Sequence, residues 1–221
     1  FQRHLRDRIV TWPKPETARP VHYNCWEAVY FNHDLSELKD IAARAAALGA
    51  ERFVLDDGWF GRRDDDTTSL GDWVIDPRKF PDGLTPLIDH VHSLGMTFGI
   101  WFEPEMVNQD SDVCRAHPDW LLGPADQILG RQQNVLDMAL PAVRDYLYEH
   151  IAVVLRDNDV DYIKWDHNRV LPAPDAAQAE GTYALLDRLR ADFPAVEIES
   201  CASGGGRIDF GILSRTQRVW L

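Results

Sequence analysis

The sequence is poor in cysteine and in positive charge. Its 221 residues include three cysteines, Cys25, Cys114 and Cys201, and carry a formal net charge of -13 at pH 7. An odd number of scattered cysteines without a CxxC pair indicates neither a disulfide framework nor a zinc knuckle, so a reducing cytoplasm is the expected compartment. The surplus of acidic side chains disfavours nucleic acids and anionic membrane surfaces as partners, because both are polyanions.

Long apolar runs are also missing. No segment of about 18 apolar residues occurs, so no membrane-spanning helix is predicted. The first residues, FQRHLRDRIV, lack the apolar core of a secretory signal peptide. The chain begins with Phe1 rather than Met, and we therefore expect that something upstream has been removed. With 45% hydrophobic residues the chain can bury a substantial core, and its length fits one domain better than two.

Short apolar runs alternate with helix-like segments along the chain. The strand candidates are Val21–Phe31, Arg52–Phe60, Thr97–Glu105, Asn134–Met138, Asp161–Asp166, Val196–Ser200 and Arg218–Leu221. The helix-like segments are Ser36–Gly49, Leu84–Gly95, Ala142–Asn158 and Ala176–Phe193. In the first of them, Ser36 is the expected N-cap and Gly49 the expected residue after the C-terminus. About seven strands that alternate with helices are typical of parallel βα units, which build either a doubly wound sheet or a barrel.

Acidic residues follow nearly every strand candidate. They are Asp56, Asp57, Glu103, Glu105, Asp137, Asp166 and Glu199. A doubly wound sheet usually binds its ligand at one switch point, whereas a barrel places functional residues at the C-terminal ends of many strands. The pattern therefore predicts an α/β fold of the (β/α)₈ TIM barrel type. The long excursion Gly61–Gly83 is interpreted as an active-site loop on the barrel rim.

Acids that converge on one barrel mouth bind metal ions, perform proton and nucleophile chemistry on carbohydrate, or simply solvate the rim. Five of the eight tryptophans, Trp59, Trp73, Trp101, Trp165 and Trp220, lie beside these acids. Flat apolar faces stack on sugars while carboxylates take the hydroxyls, so the carbohydrate interpretation is favoured. The eight histidines lie mostly on helices or loops and form no ligand cluster, so no metal site is predicted.

The segment DYIKWDHNRV, residues 161–170, mixes apolar and charged residues where a buried strand is expected. On a strand, Lys164, Asp166 and Asn168 point to the same side and can share one cavity. A lysine beside a carboxylate favours the ionised form, which is the form that a glycosidase nucleophile needs. The alternative is a structural ion pair between Lys164 and Asp166 at the rim.

Four motifs carry a resemblance to a known family. They read DDGWFGRRDDDTTSLGDWVIDPRKFPDGL, GIWFEPEMVN, YIKWDHNR and ESCASGGGRIDFGIL. Together they resemble the catalytic domain of family 36 α-galactosidases, the melibiase group. The resemblance implies a retaining α-galactosidase whose (β/α)₈ barrel is flanked by an N-terminal β-sandwich and a C-terminal β domain. Residues 1–19 are then expected to be a linker from a missing N-terminal domain, and residues 20–221 to be the catalytic barrel.

The resemblance also implies roles for individual residues. Asp166, in the KWD motif, is the expected nucleophile. The expected substrate-binding residues are Asp56, Asp57, Trp101, Arg131, Lys164, Asn168, Cys201 and Gly204. No cofactor is expected.

Most of these assignments have structural alternatives. Asp56 and Asp57 can be a helix N-cap and a solvated acid, Trp101 can be a core aromatic, and Cys201 can be a small buried hydrophobe. The run SGGG, residues 203–206, lacks the Lys-Ser/Thr ending of a P-loop, so close approach of the backbone to a ligand, with Arg207 nearby, is the better interpretation. Glu103 and Glu105 are given no catalytic role.

A retaining glycosidase needs a second carboxyl group about 5–5.5 Å from the nucleophile, which acts as general acid and then as base. The resemblance places this aspartate just after Leu221, and the eighth βα unit after it. About seven of the eight units are therefore expected here, so that the barrel is incomplete. We expect residues 1–221 alone to be inactive, because the acid is missing, and poorly soluble, because two sheet edges stay open.

The complete protein is expected to remove terminal α-linked galactose from oligosaccharides such as melibiose or raffinose. Two alternatives stay open: a related α-glycosidase or galactosyltransferase that uses the same pocket for another acceptor, and a non-catalytic sugar-binding remnant. The partner is thus a small α-galactoside, with no nucleic acid and no membrane. Whether the complete protein forms a homo-oligomer stays open.

Activity of the complete protein is expected to be insensitive to chelators and to need no nicotinamide. The reason is that the sequence has neither a histidine-rich ligand set nor a dinucleotide fingerprint. The measurement is hydrolysis of a chromogenic α-galactoside before and after dialysis against EDTA. A loss of activity that a divalent ion restores would favour the metal alternative.

Overall fold

The computed structural model describes residues 2–4, 7–8, 19–124, 126–173 and 176–221. Most of the predicted linker, residues 1–19, lies outside these residues. Six parallel strands form a curled sheet, an incomplete barrel, in the order β1 (His22–Asn24), β2 (Arg52–Leu55), β3 (Thr97–Phe102), β6 (Tyr162–Trp165), β7 (Glu197–Ser200) and β8 (Arg218–Val219). A separate antiparallel pair consists of β4 (Met106–Asn108) and β5 (Gln133–Val135).

Helices follow most of the barrel strands. They are α1 (Gln2–His4), α2 (Trp26–Val29), α3 (Leu35–Ala47), α4 (Thr85–Ser93), α5 (Asp112–Ala116), α6 (Pro141–Asp157), α7 (Ala176–Asp192) and α8 (Phe210–Leu213), with a 3₁₀ turn at Pro118–Trp120. None of the helices in the described part of the chain is long and apolar enough to cross a bilayer.

One strand candidate lies in a different sheet from the one predicted. β3 pairs directly with β6, with Gly99 opposite Tyr162. Segment Asn134–Met138 is therefore not a barrel strand, and Val135 lies opposite Met106 in the antiparallel pair. The described residues thus contain six barrel strands instead of about seven. A short apolar run looks the same in a rim hairpin as in a barrel strand, which explains the error.

The first strand candidate, Val21–Phe31, contains a turn that the sequence pattern did not indicate. β1 ends at Asn24, whose side-chain Oδ1 accepts a hydrogen bond from the backbone N–H of Trp26 at 2.8 Å. Such a bond closes an Asx turn and competes with strand pairing. Helix α2 follows immediately, so Trp26 is brought to the end of the strand rather than into it.

Helix α3 shows how local sequence sets the boundaries of the helical layer. Asp34, not Ser36, is its N-cap, and the Asp34 side chain accepts a hydrogen bond from Glu37 N at 2.9 Å. Gly49 lies just beyond the C-cap with φ of +92°, as predicted, in a conformation that glycine adopts without strain. The helix buries Leu38 and Ala42 in the hydrophobic core.

The core is rich in aromatic residues that the sequence pattern had suggested for stacking on sugar. Trp59, Trp73 and Trp165 are at most 1% exposed and belong to the hydrophobic core. Trp59 also donates its indole N–H to the backbone oxygen of Trp101 at 2.9 Å. These three side chains therefore pack inside the protein. The prediction that their faces are available to stack on sugar is wrong.

Charged side chains fill the opposite end of the sheet. Arg52 Nη1 lies 2.9 Å from Glu197 Oε2, and Arg218 Nε lies 2.7 Å from Glu197 Oε1. Tyr162 covers the Arg52 guanidinium, which lies 4.6 Å from the ring centre. Burial raises the pKa of Glu197, but the two arginine charges outweigh it and hold the pKa below its usual value.

Replacing Glu197 with glutamine is expected to lower stability at neutral pH by roughly 1.5–3 kcal/mol, the usual range for hydrogen bonds to charged groups. A lowered pKa stabilises the fold above the unfolded-state pKa, and the effect is lost as pH falls through the folded-state pKa. The deficit of Glu197→Gln should therefore shrink below about pH 4. Melting temperatures of both proteins across pH 3–8 test this, and a deficit independent of pH would contradict it.

Candidate active site

The C-terminal ends of the barrel strands enclose a cavity of about 240 Å³. Its lining consists of Trp26, Glu27, Asp56, Asp57, Trp101, Arg131, Lys164, Asp166, Asn168, Cys201, Ser203, Gly204 and Trp220. All nine residues predicted from the sequence as site residues are in this lining. They meet because parallel strands direct their carboxyl ends to the same face of a barrel.

Asp166 is fixed by donors on two sides. The indole N–H of Trp101 donates to Asp166 Oδ2 at 2.9 Å, and the backbone N–H of His167 donates to Asp166 Oδ1 at 2.9 Å. The Asp166 backbone N–H itself donates to Phe102 O at 2.8 Å, which extends the β3–β6 ladder by one residue. The carboxylate is therefore held in one orientation at the end of β6.

The surroundings of Asp166 keep its carboxyl group ionised. Burial raises its pKa, but the Lys164 charge and hydrogen bonds from Cys201, Trp101 and Asn168 outweigh burial and hold the pKa below its usual value. The same burial and the Asp166 charge raise the pKa of the Cys201 thiol to about 12, so the thiol stays protonated and can donate. An anionic, oriented carboxylate is the form that attacks an electrophile.

Lys164 has a different direct partner from the one that the sequence suggested. Its Nζ lies 2.9 Å from Asp56 Oδ2, and both side chains are at least nine-tenths buried. Burial lowers the pKa of Lys164, but Asp56 and Asp166 together raise it above its usual value. The ammonium also lies 4.6 Å from the ring centre of Trp220, a cation–π contact. Lys164 thus links Asp56 to the nucleophile candidate by charge.

Asp57 is held by Arg63, a residue that the sequence analysis did not single out. Arg63 Nε donates to Asp57 Oδ1 at 2.9 Å and Arg63 Nη2 donates to Oδ2 at 2.8 Å, which is a bidentate pair. Both side chains are almost fully buried. Burial is the largest influence on Asp57 and raises its pKa above the usual value despite Arg63. The only local signal for this pair is the arginine doublet, residues 62–63, in the excursion that follows β2.

Two more lining residues were not predicted, Trp26 and Glu27, and Ser203 of the SGGG run also lies in the lining. Trp26 and Glu27 follow directly after β1, so ending that strand at Asn24 would have revealed them by the strand-end rule. Ser203 Oγ donates to Asn168 Oδ1 at 3.0 Å and so joins the loops after β6 and β7.

Gly204 lines the cavity in a conformation that requires glycine. Its φ is +91°, and a Cβ added there would lie 3.4 Å from the carbonyl carbon of Leu221. The close approach of this backbone to a ligand stays a prediction. Arg207 was expected near the ligand, but it does not line this cavity. Its Nη1 donates to Glu105 Oε1 at 2.6 Å, and both residues line a neighbouring cavity of about 370 Å³.

Glu103 and Glu105 lie outside the lining of the first cavity, and both are buried. Burial, with the charges of Asp166 and Asp57, raises the pKa of Glu103 to about 8. Burial also acts to raise the pKa of Glu105, but Arg207 outweighs it and lowers that pKa well below its usual range. Both carboxyl groups support loops beside the site.

The carboxylates of the cavity are engaged by cations of the chain itself. Asp56 binds Lys164, and Asp57 binds Arg63. No group of three or more His, Cys, Asp and Glu side chains within the described ranges has an arrangement that could hold a metal ion. The arrangement combines one ionised carboxylate with charged and amide groups that can bind hydroxyls, beside three indole rings.

Comparison with known proteins identifies the family. The Melibiase family model matches residues 1–221. The chain belongs to the melibiase family. A curated Escherichia coli alpha-galactosidase is 52% identical over 229 aligned residues, which cover 100% of this chain and 32% of that protein.

Solved structures agree with the melibiase assignment. The galactosidase domain of AgaSK, an alpha-galactosidase-sucrose kinase of Mediterraneibacter gnavus, superposes with a TM-score of 0.91 at 41% identity, over 98% of this chain and 31% of that one. A substituted form of AgaA, an alpha-galactosidase of Geobacillus stearothermophilus in complex with stachyose, gives a TM-score of 0.89 at 40% identity, over 98% and 32%. The melibiase chain spans about a third of the length of these relatives.

Proposed function

We propose that the complete protein is a retaining α-galactosidase, which removes terminal α-linked galactose from oligosaccharides. The observation that carries the proposal is the Asp166 carboxylate, which Trp101 and His167 hold in one orientation in a cavity that Asp56, Asp57 and Lys164 also line. The relatives support the substrate class, because forms of the Geobacillus stearothermophilus enzyme AgaA were solved in complex with stachyose and with raffinose.

In the proposed mechanism, Asp166 attacks the anomeric carbon of galactose. An Asp166 oxygen forms an ester bond to that carbon while the bond to the leaving oxygen breaks, and a general acid gives the leaving oxygen a proton. Water then attacks the same carbon, gives up a proton to the conjugate base, and releases Asp166. Two displacements at one carbon retain its configuration. The bonds from Trp101 and His167 hold the carboxylate in line for the first step.

Recognition of galactose is assigned to charged and amide groups around the nucleophile. Asp56 and Asp57 accept hydrogen bonds from sugar hydroxyls, and Lys164, Arg131 and Asn168 donate to the sugar oxygens. Trp101 and Trp220 supply apolar surface for the C–H face of the ring. Cys201 and Gly204 close the wall beside Asp166, where small groups let the sugar approach.

The general acid is proposed to be an aspartate that follows residue 221 in the complete protein, as the family resemblance implies. The two other buried carboxyl groups in the cavity lining, Asp56 and Asp57, already bind Lys164 and Arg63, which favours substrate-binding roles for them.

The proposed compartment is the cytoplasm, because the scattered cysteines indicate no disulfide framework.

The decisive experiment uses the protein expressed from its complete gene. Chromogenic α-galactoside and α-glucoside, which differ only at C4 of the sugar, are assayed together with raffinose. Hydrolysis of the galactoside with galactose released first as the α-anomer is expected. Preferential transfer to an added sugar acceptor would indicate a galactosyltransferase, and binding of galactose without turnover would indicate a sugar-binding remnant. Hydrolysis of the glucoside alone would overturn the proposal.

A further inference from the structure

Three segments of the barrel rim meet at the side chain of Asn108, the last residue of β4. This side chain is fully buried. Its Oδ1 accepts hydrogen bonds from Arg63 Nη1 at 2.7 Å and from Leu70 N at 3.0 Å. Its Nδ2 donates to Asp66 O at 3.0 Å and to Gln132 O at 2.9 Å. All four hydrogen-bonding positions of the amide are therefore occupied.

One arm of this network leads to Asp57. Arg63 uses Nε and Nη2 for Asp57, and its remaining nitrogen, Nη1, is held by Asn108 Oδ1 and by Thr68 O at 2.9 Å. The plane of the guanidinium is thereby fixed at three nitrogens. Since the Arg63 side chain is only 1% exposed, water is not a ready substitute for Asn108. The orientation of the Asp57 carboxylate depends on the orientation of that plane.

The second arm leads to Arg131. The turn from Gly130 to Gln133 closes with a backbone bond from Gln133 N to Gly130 O at 2.9 Å. Its two central residues, Arg131 and Gln132, have φ of 50° and 62°, a left-handed conformation that side chains other than glycine rarely adopt. Such strain persists where surrounding contacts hold the backbone. Asn108 Nδ2 provides one such contact, because it binds the Gln132 carbonyl.

We propose that Asn108 is a positioning residue that holds Asp57 and Arg131 in one geometry for the same sugar. The inference rests on the proposed function, in which both residues bind galactose. A single amide serves both arms because it is acceptor on one side and donor on the other. An aspartate would keep the acceptor oxygen. Its second oxygen would face the carbonyl oxygens of Asp66 and Gln132 and would repel the turn that carries Arg131.

Three variants of the protein expressed from its complete gene separate these contributions. Asn108→Ala removes both arms, and Asn108→Asp keeps the acceptor and removes the donor. Gln178→Ala is the matched control, because Gln178 is an equally buried amide that accepts from Met138 N at 2.8 Å and donates to Leu136 O at 3.0 Å. Gln178 is not in the lining of the sugar cavity.

Asn108→Ala is expected to raise KM for an α-galactoside by roughly tenfold to a hundredfold, the scale on which displaced binding groups act, with a smaller change in kcat. In a double-mutant cycle with Asp57→Asn, the combined effect on KM should be less than additive, because part of the effect of Asn108→Ala acts through Asp57. Gln178→Ala should lower the melting temperature without raising KM. If Asn108→Ala behaves as Gln178→Ala does, or if the cycle is additive, the inference is overturned.

Amide hydrogen exchange tests the same inference without substrate. In Asn108→Ala, exchange should accelerate in peptides covering residues 61–72 and 130–135. In Asn108→Asp it should accelerate in peptide 130–135, while the Leu70 amide, which still donates to Oδ1, should stay protected. Unchanged exchange in both peptides would overturn the inference even if KM rose. If the unsubstituted protein binds no galactose, the proposed function fails together with the sugar-binding part of the inference, while exchange still decides whether Asn108 holds the two segments.

Discussion

Replacing Asp166 with alanine is expected to lower kcat for α-galactoside hydrolysis by at least about 10⁴-fold, as loss of a covalent nucleophile does in other hydrolases. Binding of galactose should survive, because Asp56, Asp57 and Lys164 remain in the cavity. The measurement is single-turnover hydrolysis together with galactose affinity by calorimetry. Added azide should restore part of the rate on an activated galactoside, since a small anion can occupy the space of the missing carboxylate and attack the same carbon.

Asp161→Asn is the matched control for this experiment. Asp161 precedes β6 and Asp166 follows it, so one strand carries both aspartates at opposite ends. Asp161 Oδ2 accepts a hydrogen bond from Phe98 N at 2.8 Å, and the residue is not in the cavity lining. Asp161→Asn should reduce stability and leave kcat near the unsubstituted value. Near-normal turnover by Asp166→Ala would exclude Asp166 as the nucleophile.

Asp57→Asn is expected to weaken galactose affinity by roughly tenfold to a hundredfold, because each charge-assisted hydrogen bond contributes about 1.5–3 kcal/mol. Asp56→Asn should behave likewise. The melting temperature should fall only slightly, because Arg63 can still donate to the amide oxygen of the new side chain. The loss of affinity should therefore be larger than the loss of stability explains. Calorimetric affinity for galactose and the melting temperature are measured on the same samples.

The control for Asp57→Asn is Asp76→Asn. Asp76 is also a fully buried aspartate with an arginine partner, as Arg78 Nη2 lies 2.6 Å from its Oδ2, but it is outside the cavity. Asp76→Asn should lower the melting temperature and leave the affinity for galactose unchanged. If Asp57→Asn and Asp56→Asn both keep normal affinity, these residues are structural acids of the rim and bind no substrate.

The residues that follow a strand could be placed from the sequence, because parallel strands in a barrel bring their carboxyl ends together whatever the intervening loops do. Asp56, Asp166 and Cys201 each follow directly after a strand that the apolar pattern had indicated. Arg131 was placed by the family resemblance alone. The strand count was wrong because the apolar run at residues 134–138 belongs to a hairpin on the rim.

Partners that are distant in the chain could not be predicted. The Lys164 ammonium lies against Asp56, 108 positions away, rather than against the neighbouring Asp166. Arg63 and Asn108 likewise act through contacts between separate loops, and nothing in local periodicity indicates which loops meet. The tryptophans beside acids have different roles. Trp220 lines the cavity, Trp101 lines it and also belongs to the core, and Trp59, Trp73 and Trp165 belong to the core and not to the lining.

Trapping a covalent intermediate between Asp166 and galactose is the sharpest test of the proposed mechanism. A 5-fluoro-α-galactosyl fluoride has a good leaving group but a slowed second step, so the glycosyl-enzyme accumulates. After proteolysis, mass spectrometry should find one added fluorogalactosyl group on the peptide that contains Asp166, and none in Asp166→Ala. A label on another carboxylate, or no adduct together with a product of inverted configuration, would exclude Asp166 as the covalent nucleophile.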